Sequence, residues 1–302
     1  MADEYSPDIV CNLGDTMHDH AVLRSELMSE FYFHCQRVAS KRPYWYVLGN
    51  HDAFRPKDAK YHALQTFNIP NFRMFDKTED VGDNITVVPY VQEFSDFPLH
   101  TKSICITHNT FIGADYGFKR EDCGINADKV SADIIVSGHI HKRQSFGKVN
   151  YPGTPYAHSA TDVDQTKGLL LFETSTFKQT FIESPFPKWR SIEFEVSTSN
   201  PISNLHELLK IELNDTDKWI IKVSGPKIEL AAYFKSKEYL TIIKDKKVVS
   251  KAIPTDKTKQ KIQIKATSID NIMKEYIDKV YDGSLDKQLI LKKTLDIVSN
   301  TR

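Results

Sequence analysis

The chain has 302 residues, 40% of them hydrophobic, enough for one large core and a smaller second unit, since domains usually run to ~100–200 residues. The 40 basic and 40 acidic residues cancel, so no overall field draws in nucleic acid, and any such contact has to come from local patches or a metal site. The opening MADEYSPDIV lacks the basic and apolar regions of a secretory leader, and no stretch approaches the ~20 apolar residues of a membrane span, which predicts a soluble cytoplasmic protein with no membrane partner.

In chain order, the runs DIVCNL, YWYVLGN, NITVVPY, SICITHN, DIIVSGH and GLLLFE read as strands that close in polar or Gly-containing loops. Between the first two, Leu23, Leu27, Phe31 and Cys35 recur at helical spacing and predict a helix over residues 22–40. The result is a layered α/β unit. Cys11, Cys35, Cys105 and Cys123 show no CxxC spacing and read as reduced core residues. The Pro-rich SPFPKW breaks the pattern and sets a boundary after residue 187. Beyond it SIEFEV, ISNLHELLKI, KWIIKVSG, KIELAAYFK and YLTIIKD read as β-α-β-α-β, a small α+β cap over residues 188–265. Within it, residues 218–265 carry 13 lysines against four acidic residues, a face suited either to phosphates or simply to solvent. Residues 266–302 show two amphipathic helical patterns that pack on the chain itself or bind a partner.

Four of the strand-like runs deliver residues with metal-ligand chemistry to their carboxyl ends: Gly14-Asp15-Thr16-Met17-His18, Gly49-Asn50-His51-Asp52, Thr107-His108-Asn109 and Gly138-His139-Ile140-His141. A carboxylate, an amide oxygen and imidazoles without a thiolate suit a hard or borderline divalent ion. In an extended Gly-His-x-His both imidazoles share one face, so each can serve one of two neighbouring ions, and Asp15 can bridge them. Two such ions ~3.5–4 Å apart activate water and clamp a phosphoryl group. His51, next to Asn50, can reach the leaving oxygen as proton donor or charge stabiliser, with Asp52 orienting its ring.

These residues resemble the calcineurin-like metallophosphoesterase superfamily. The likeness sharpens toward SbcD-type repair nucleases, phage recombination subunits included, because Tyr151-Pro152-Gly153-Thr154-Pro155 follows the double-His motif and a small cap follows GLLLFE. The resemblance implies a metallophosphoesterase β-sandwich flanked by helices over residues 1–187, the α+β cap, and C-terminal helices that bind a partner. It implies two Mn²⁺ ions, with Mg²⁺ or another divalent ion as a substitute. Asp15 would bridge them, Asn50, His108 and His139 would complete one site, and His141 would belong to the other. His51 would act in the transition state, supported by Asp52, and His18 would hold a ligand or water in place.

The family pattern opens with a strand ending in Asp-x-His, and none of the 11 histidines here has an aspartate two residues earlier. The resemblance therefore implies an N-terminally incomplete fold, in which the first ion keeps only Asp15 and His141. The expected activity is that of a DNA exonuclease, with endonuclease action on single strands, in a recombination and repair complex with an SbcC-like coiled-coil ATPase, and with a homodimer as a further expectation. Two readings compete: a phosphatase or phosphodiesterase for a small substrate, since one scaffold hosts several reactions, and a catalytically impaired binding subunit.

Overall fold

The computed structural model describes residues 2–18, 24–55, 58–117, 119–197, 199–201, 203–205, 216–242 and 248–255. A short helix α1 (Ala2–Tyr5) precedes strand β1 (Val10–Asn12), helix α2 (Ser25–Ala39) and strand β2 (Tyr44–Val47). The hairpin β3 (Ala53–Arg55) and β4 (Asp58–His62) follows, then β5 (Phe72–Phe75). Strands β1, β2 and β5 form a parallel three-stranded sheet with β2 in the middle. A second sheet is built from β6 (Glu79–Val81), β7 (Ile85–Val88), β8 (Ile104–Thr107), β9 (Ile134–Ser137), β10 (Gln144–Phe146) and β11 (Val149–Tyr151). Its order is β10-β11-β9-β8-β7-β6, with the four inner strands parallel and the two edges antiparallel.

Strand alternation sets the layers. On β2, Tyr44 and Tyr46 face α2, where they pack with Phe31, Cys35 and Ala39. Trp45 and Val47 point the other way and meet Phe75, Val87, Ile104, Ile106 and Ile134, so the two sheets close face to face. On β8, Ile104 and Ile106 fill that inner core, while Cys105 turns outward with Ile135 into a third cluster. Both faces of the parallel strands are thus covered, which is why ICIT and IIVS are buried at every position and apolar up to their last residue rather than alternating.

The expected sandwich is present, with helix α2 packed on the outer face of the three-stranded sheet. The outer face of the six-stranded sheet is covered by loop residues such as Phe97, Phe111, Ala114, Ile125 and Val130. Helix α2 buries Phe31, Cys35 and Ala39, whereas Leu27 of the predicted stripe is 54% exposed. All four cysteines are free thiols, and only Cys35 and Cys105 are buried; Cys11 lies on edge strand β1 and Cys123 in a loop, both exposed, so the core reading fails for those two.

After the hairpin β12 (Gly168–Phe172) and β13 (Gln179–Glu183), a separate core forms on β14 (Trp189–Glu195), β15 (Lys218–Gly225) and β16 (Val248–Pro254), a parallel sheet in that order. Helix α3 (Lys227–Phe234) buries Leu230 and Tyr233 against it. Residues of YLTIIKD, expected as a strand, instead lie in helix α4 (Lys237–Ile242), and the third strand begins at Val248. Residues 203–205 of the expected first helix are helical; the rest of it, like the expected C-terminal helices, lies outside the described residues. Among the described residues no helix is long and apolar enough to cross a membrane.

Candidate metal centre

The two sheets share a rim where β1, β2, β8 and β9 end, and the four sequence groups follow those ends directly. Asp15 and His139 both adopt left-handed backbone, at φ 58° and 72°. These conformations turn their side chains back toward the rim rather than onward along the chain. Gly138 lets the loop close over the site: a Cβ there would collide with the Leu13 carbonyl and the His108 ring. The Gly of Tyr-Pro-Gly-Thr-Pro has a similar reason, since Gly153 at φ 78° lies against the backbone of His141 and Arg143.

Asp15, His108 and His139 each offer a ligand atom, all within 4.8 Å of one another. His108 Nε2 lies 3.0 Å from Asp15 Oδ2 and 3.3 Å from His139 Nδ1. Asn50 Oδ1 reaches His139 Nδ1 at 2.8 Å. His108 Nδ1 faces the Leu13 carbonyl, which can only accept, so a proton sits on Nδ1 and Nε2 is the ring atom turned toward Asp15 and His139. Tyr90 stacks on His139 with ring centroids 6.1 Å apart and fixes its plane.

Burial opposes the charge on Asp15, but the His108 imidazole and the His51 backbone N–H outweigh it and hold the carboxyl below its usual range. Burial also disfavours charge on His108, and Asp15 reverses that and raises it. His139 is pushed down to about 4 by burial and by His108 beside it, so its imidazole is neutral at pH 7, the form that binds metal. The donor set therefore fits a divalent ion: convergent oxygen and nitrogen atoms, one carboxylate, and a neutral imidazole.

His51 enters through its backbone, whose N–H donates to Asp15 Oδ1 at 2.8 Å, while its ring Nδ1 lies 2.9 Å from the His18 carbonyl oxygen. His18 thus meets His51 with its main chain as well as through ring stacking at 5.8 Å. The expectation that Asp52 orients the His51 ring gives way to a different geometry. Asp52 is buried and accepts from the backbone N–H groups of Asp15, Thr16, Met17 and Gly49 and from the Tyr46 hydroxyl, at 2.8–3.3 Å. It clamps the Asp15 loop to the Gly49 turn. Burial raises Asp52 above the usual carboxylate range, partly offset by these donors.

His141 stands outside the three-donor group and stacks on His158, with centroids 5.6 Å apart. Its loop is held by a pair that sequence reading missed, Lys167 and Asp162, each 3% exposed. Lys167 Nζ donates to Asp162 Oδ1 at 2.7 Å and to the His141 carbonyl at 2.8 Å. Asp162 Oδ2 also accepts the His158 N–H at 2.9 Å. Burial holds the Lys167 ammonium below its usual range; it also works against the Asp162 charge, but Lys167 and the backbone N–H groups outweigh it. Lys167→Met strands the Asp162 carboxylate and should cost about 3 kcal/mol in urea unfolding, because breaking a buried pair leaves one charge uncompensated. A variant as stable as the parent would show that the pair contributes nothing. No spacing rule points to this pair, nor to Tyr46, which sits inside an apolar strand.

Residues 1–143, the span that holds this donor set, match the family model described as calcineurin-like phosphoesterase. The chain carries a calcineurin-like phosphoesterase domain. That domain includes Asp15, Asn50, His51, His108, His139 and His141. Similarity extends beyond it in two relatives. One is exonuclease subunit 1 of Enterobacteria phage T4, 23% identical over 250 residues, covering 78% of this chain and 70% of the relative. The other is protein 078R of Invertebrate iridescent virus 3, a phosphoesterase by its provisional name, 23% identical over 265 residues, covering 80% and 74%. The presence of an exonuclease subunit among the relatives of this phosphoesterase domain agrees with the SbcD-type resemblance.

Proposed function

We propose that the chain is the metal-dependent nuclease subunit of a DNA recombination and repair complex, hydrolysing phosphodiester bonds as an exonuclease, and single strands as an endonuclease, beside a coiled-coil ATPase. The observation that carries the reading is the convergence of Asp15, His108 and His139 within 4.8 Å at the rim of a phosphoesterase domain, in a chain with an exonuclease subunit among its relatives. Asp15, Asn50, His108 and His139 would hold one ion, Mn²⁺ by expectation. His141 would serve a second ion together with Asp15. Bound there, a divalent ion supplies Lewis acidity to the phosphoryl oxygens.

The chain's own residues do the rest. Asp15 sets the position of His51 through the His51 backbone N–H. Because the His18 carbonyl occupies His51 Nδ1, proton exchange with the leaving oxygen falls to Nε2. Asp52 keeps the Asp15 loop and the Asn50–His51 turn in register. The lysine-rich cap would follow the DNA backbone, and the C-terminal segment would meet the ATPase.

The test is degradation of linear duplex DNA by the purified chain in Mn²⁺, beside Asp15→Ala and a chelator control. Removing Asp15 should cost roughly 10²–10³-fold or more in rate, as losing a preorganised electrostatic group does, and chelation should abolish cutting reversibly. Full activity of Asp15→Ala would remove the proposed centre. Hydrolysis of a small phosphodiester without any attack on DNA would favour the small-substrate reading.

A further inference from the structure

The His141 imidazole, the proposed ligand of the second ion, is one end of a run of rings. His141 stacks on His158 at 5.6 Å and 26° between planes. His158 stacks on Tyr156 at 4.6 Å and 21°. Tyr156 meets Phe186 at 5.9 Å and 71°, so the run turns at its outer end. Tyr156 and Phe186 are 46% and 57% exposed, leaving aromatic surface in water two rings from a proposed metal ligand.

The run is fixed rather than draped. The buried Lys167–Asp162 pair grips the His141 carbonyl and the His158 N–H at once. Pro155 precedes Tyr156, and Pro185 and Pro187 flank Phe186, restricting the backbone on both sides of the exposed rings. Holding large apolar rings in water has no benefit for folding; a preorganised platform gains when a flat partner covers it. A phosphoester that carries a flat apolar face beside its phosphate is a nucleotide with an unpaired base.

We propose that Tyr156 and Phe186, backed by His158, form a stacking platform for an unpaired nucleobase of the DNA strand whose phosphate lies in the metal centre, which deepens, and rests on, the nuclease reading. The enzyme then favours frayed or single-stranded DNA next to the bond it cuts, because a base locked in a duplex cannot reach the rings. Stacking on an aromatic side chain is tolerant of sequence, so the preference is for unpairing and not for a particular base.

The full chain is titrated with Ca²⁺ in place of Mn²⁺, intact DNA after each titration confirming that nothing is cut, with a labelled single-stranded oligonucleotide and with the same strand made of abasic residues. The parent should bind the strand with bases roughly ten-fold or more tighter than the abasic one. The double variant Tyr156→Ala/Phe186→Ala should lose that difference while binding the abasic strand as the parent does, and Phe186→Trp alone should keep it. Both changed residues are exposed, so the fold is expected to hold, and an unchanged affinity for the abasic strand checks it. Equal binding of both strands by the parent, or an undiminished preference in the double variant, overturns the platform. If equal binding is accompanied by normal cutting in Mn²⁺, the nuclease reading stands and only the platform falls. If the parent neither binds nor cuts DNA, both fall.

Discussion

Asp52→Asn is expected to lower the unfolding midpoint by ~6–12 °C and to weaken the metal centre at the same time, although it changes one atom and touches no proposed ligand atom. Both carboxylate oxygens are in use: Oδ2 takes the N–H groups of Asp15 and Gly49, and Oδ1 those of Thr16 and Met17 with the Tyr46 hydroxyl. An amide side chain replaces one oxygen by an NH₂ group. Whichever way it turns, two backbone N–H donors lose their acceptor and face another donor in a buried place. At ~1–3 kcal/mol for each unsatisfied donor the loss is about 3 kcal/mol, and the midpoint shift follows at ~2–4 °C per kcal/mol for a unit of this size. Thermal unfolding in chelator isolates the clamp from any effect of bound metal. A midpoint within a degree of the parent would mean that the loop and the turn hold themselves in place.

His51→Ala is expected to separate chemistry from metal binding. The His51 side chain contributes no donor atom to the Asp15, His108 and His139 group, and the backbone N–H that meets Asp15 survives the substitution. Calorimetric titration with Mn²⁺ should therefore give the parent's affinity, while the cutting rate falls by roughly 10²–10⁴-fold, the range for loss of a positioned proton donor. A substrate whose leaving group needs no proton, such as a nitrophenyl ester, should suffer much less. An equal drop on both substrates would assign His51 to holding the phosphate rather than to protonating the departing oxygen. No drop on DNA would dismiss it from the reaction.

The candidate ligands were legible because the physics that places them is local. A strand of apolar residues that stops at a glycine and a polar side chain reports its own end, and Asp15, Asn50, His108 and His139 each follow such an end. Their meeting also needed the parallel order of β1 with β2 and of β8 with β9, which alternating strands and intervening segments imply only in outline. Asp52 was misread because its chain neighbour His51 offered a ready partner, whereas three of its backbone donors lie 35–37 residues away. Lys167 looked like any lysine near a strand, and its burial depends on Asp162 and the His141 carbonyl arriving from separate loops. Tyr239, Leu240, Thr241 and Ile242 favour a strand by residue type, yet they lie in helix α4, where Tyr239 meets Tyr233 and Phe234 of α3. The exposed Leu27 shows the same limit: spacing finds a helix but not which part of its stripe meets the sheet.

The left-handed backbone at Asp15 and His139 puts durability and activity in opposition at single positions. A side chain held there costs about 1–2 kcal/mol that glycine would not. Glycine would relieve that strain at either position, but it would also remove a donor atom of the centre and, at Asp15, the acceptor of the His51 N–H and the partner of His108. The rim therefore carries its backbone strain at the positions where its chemistry is built.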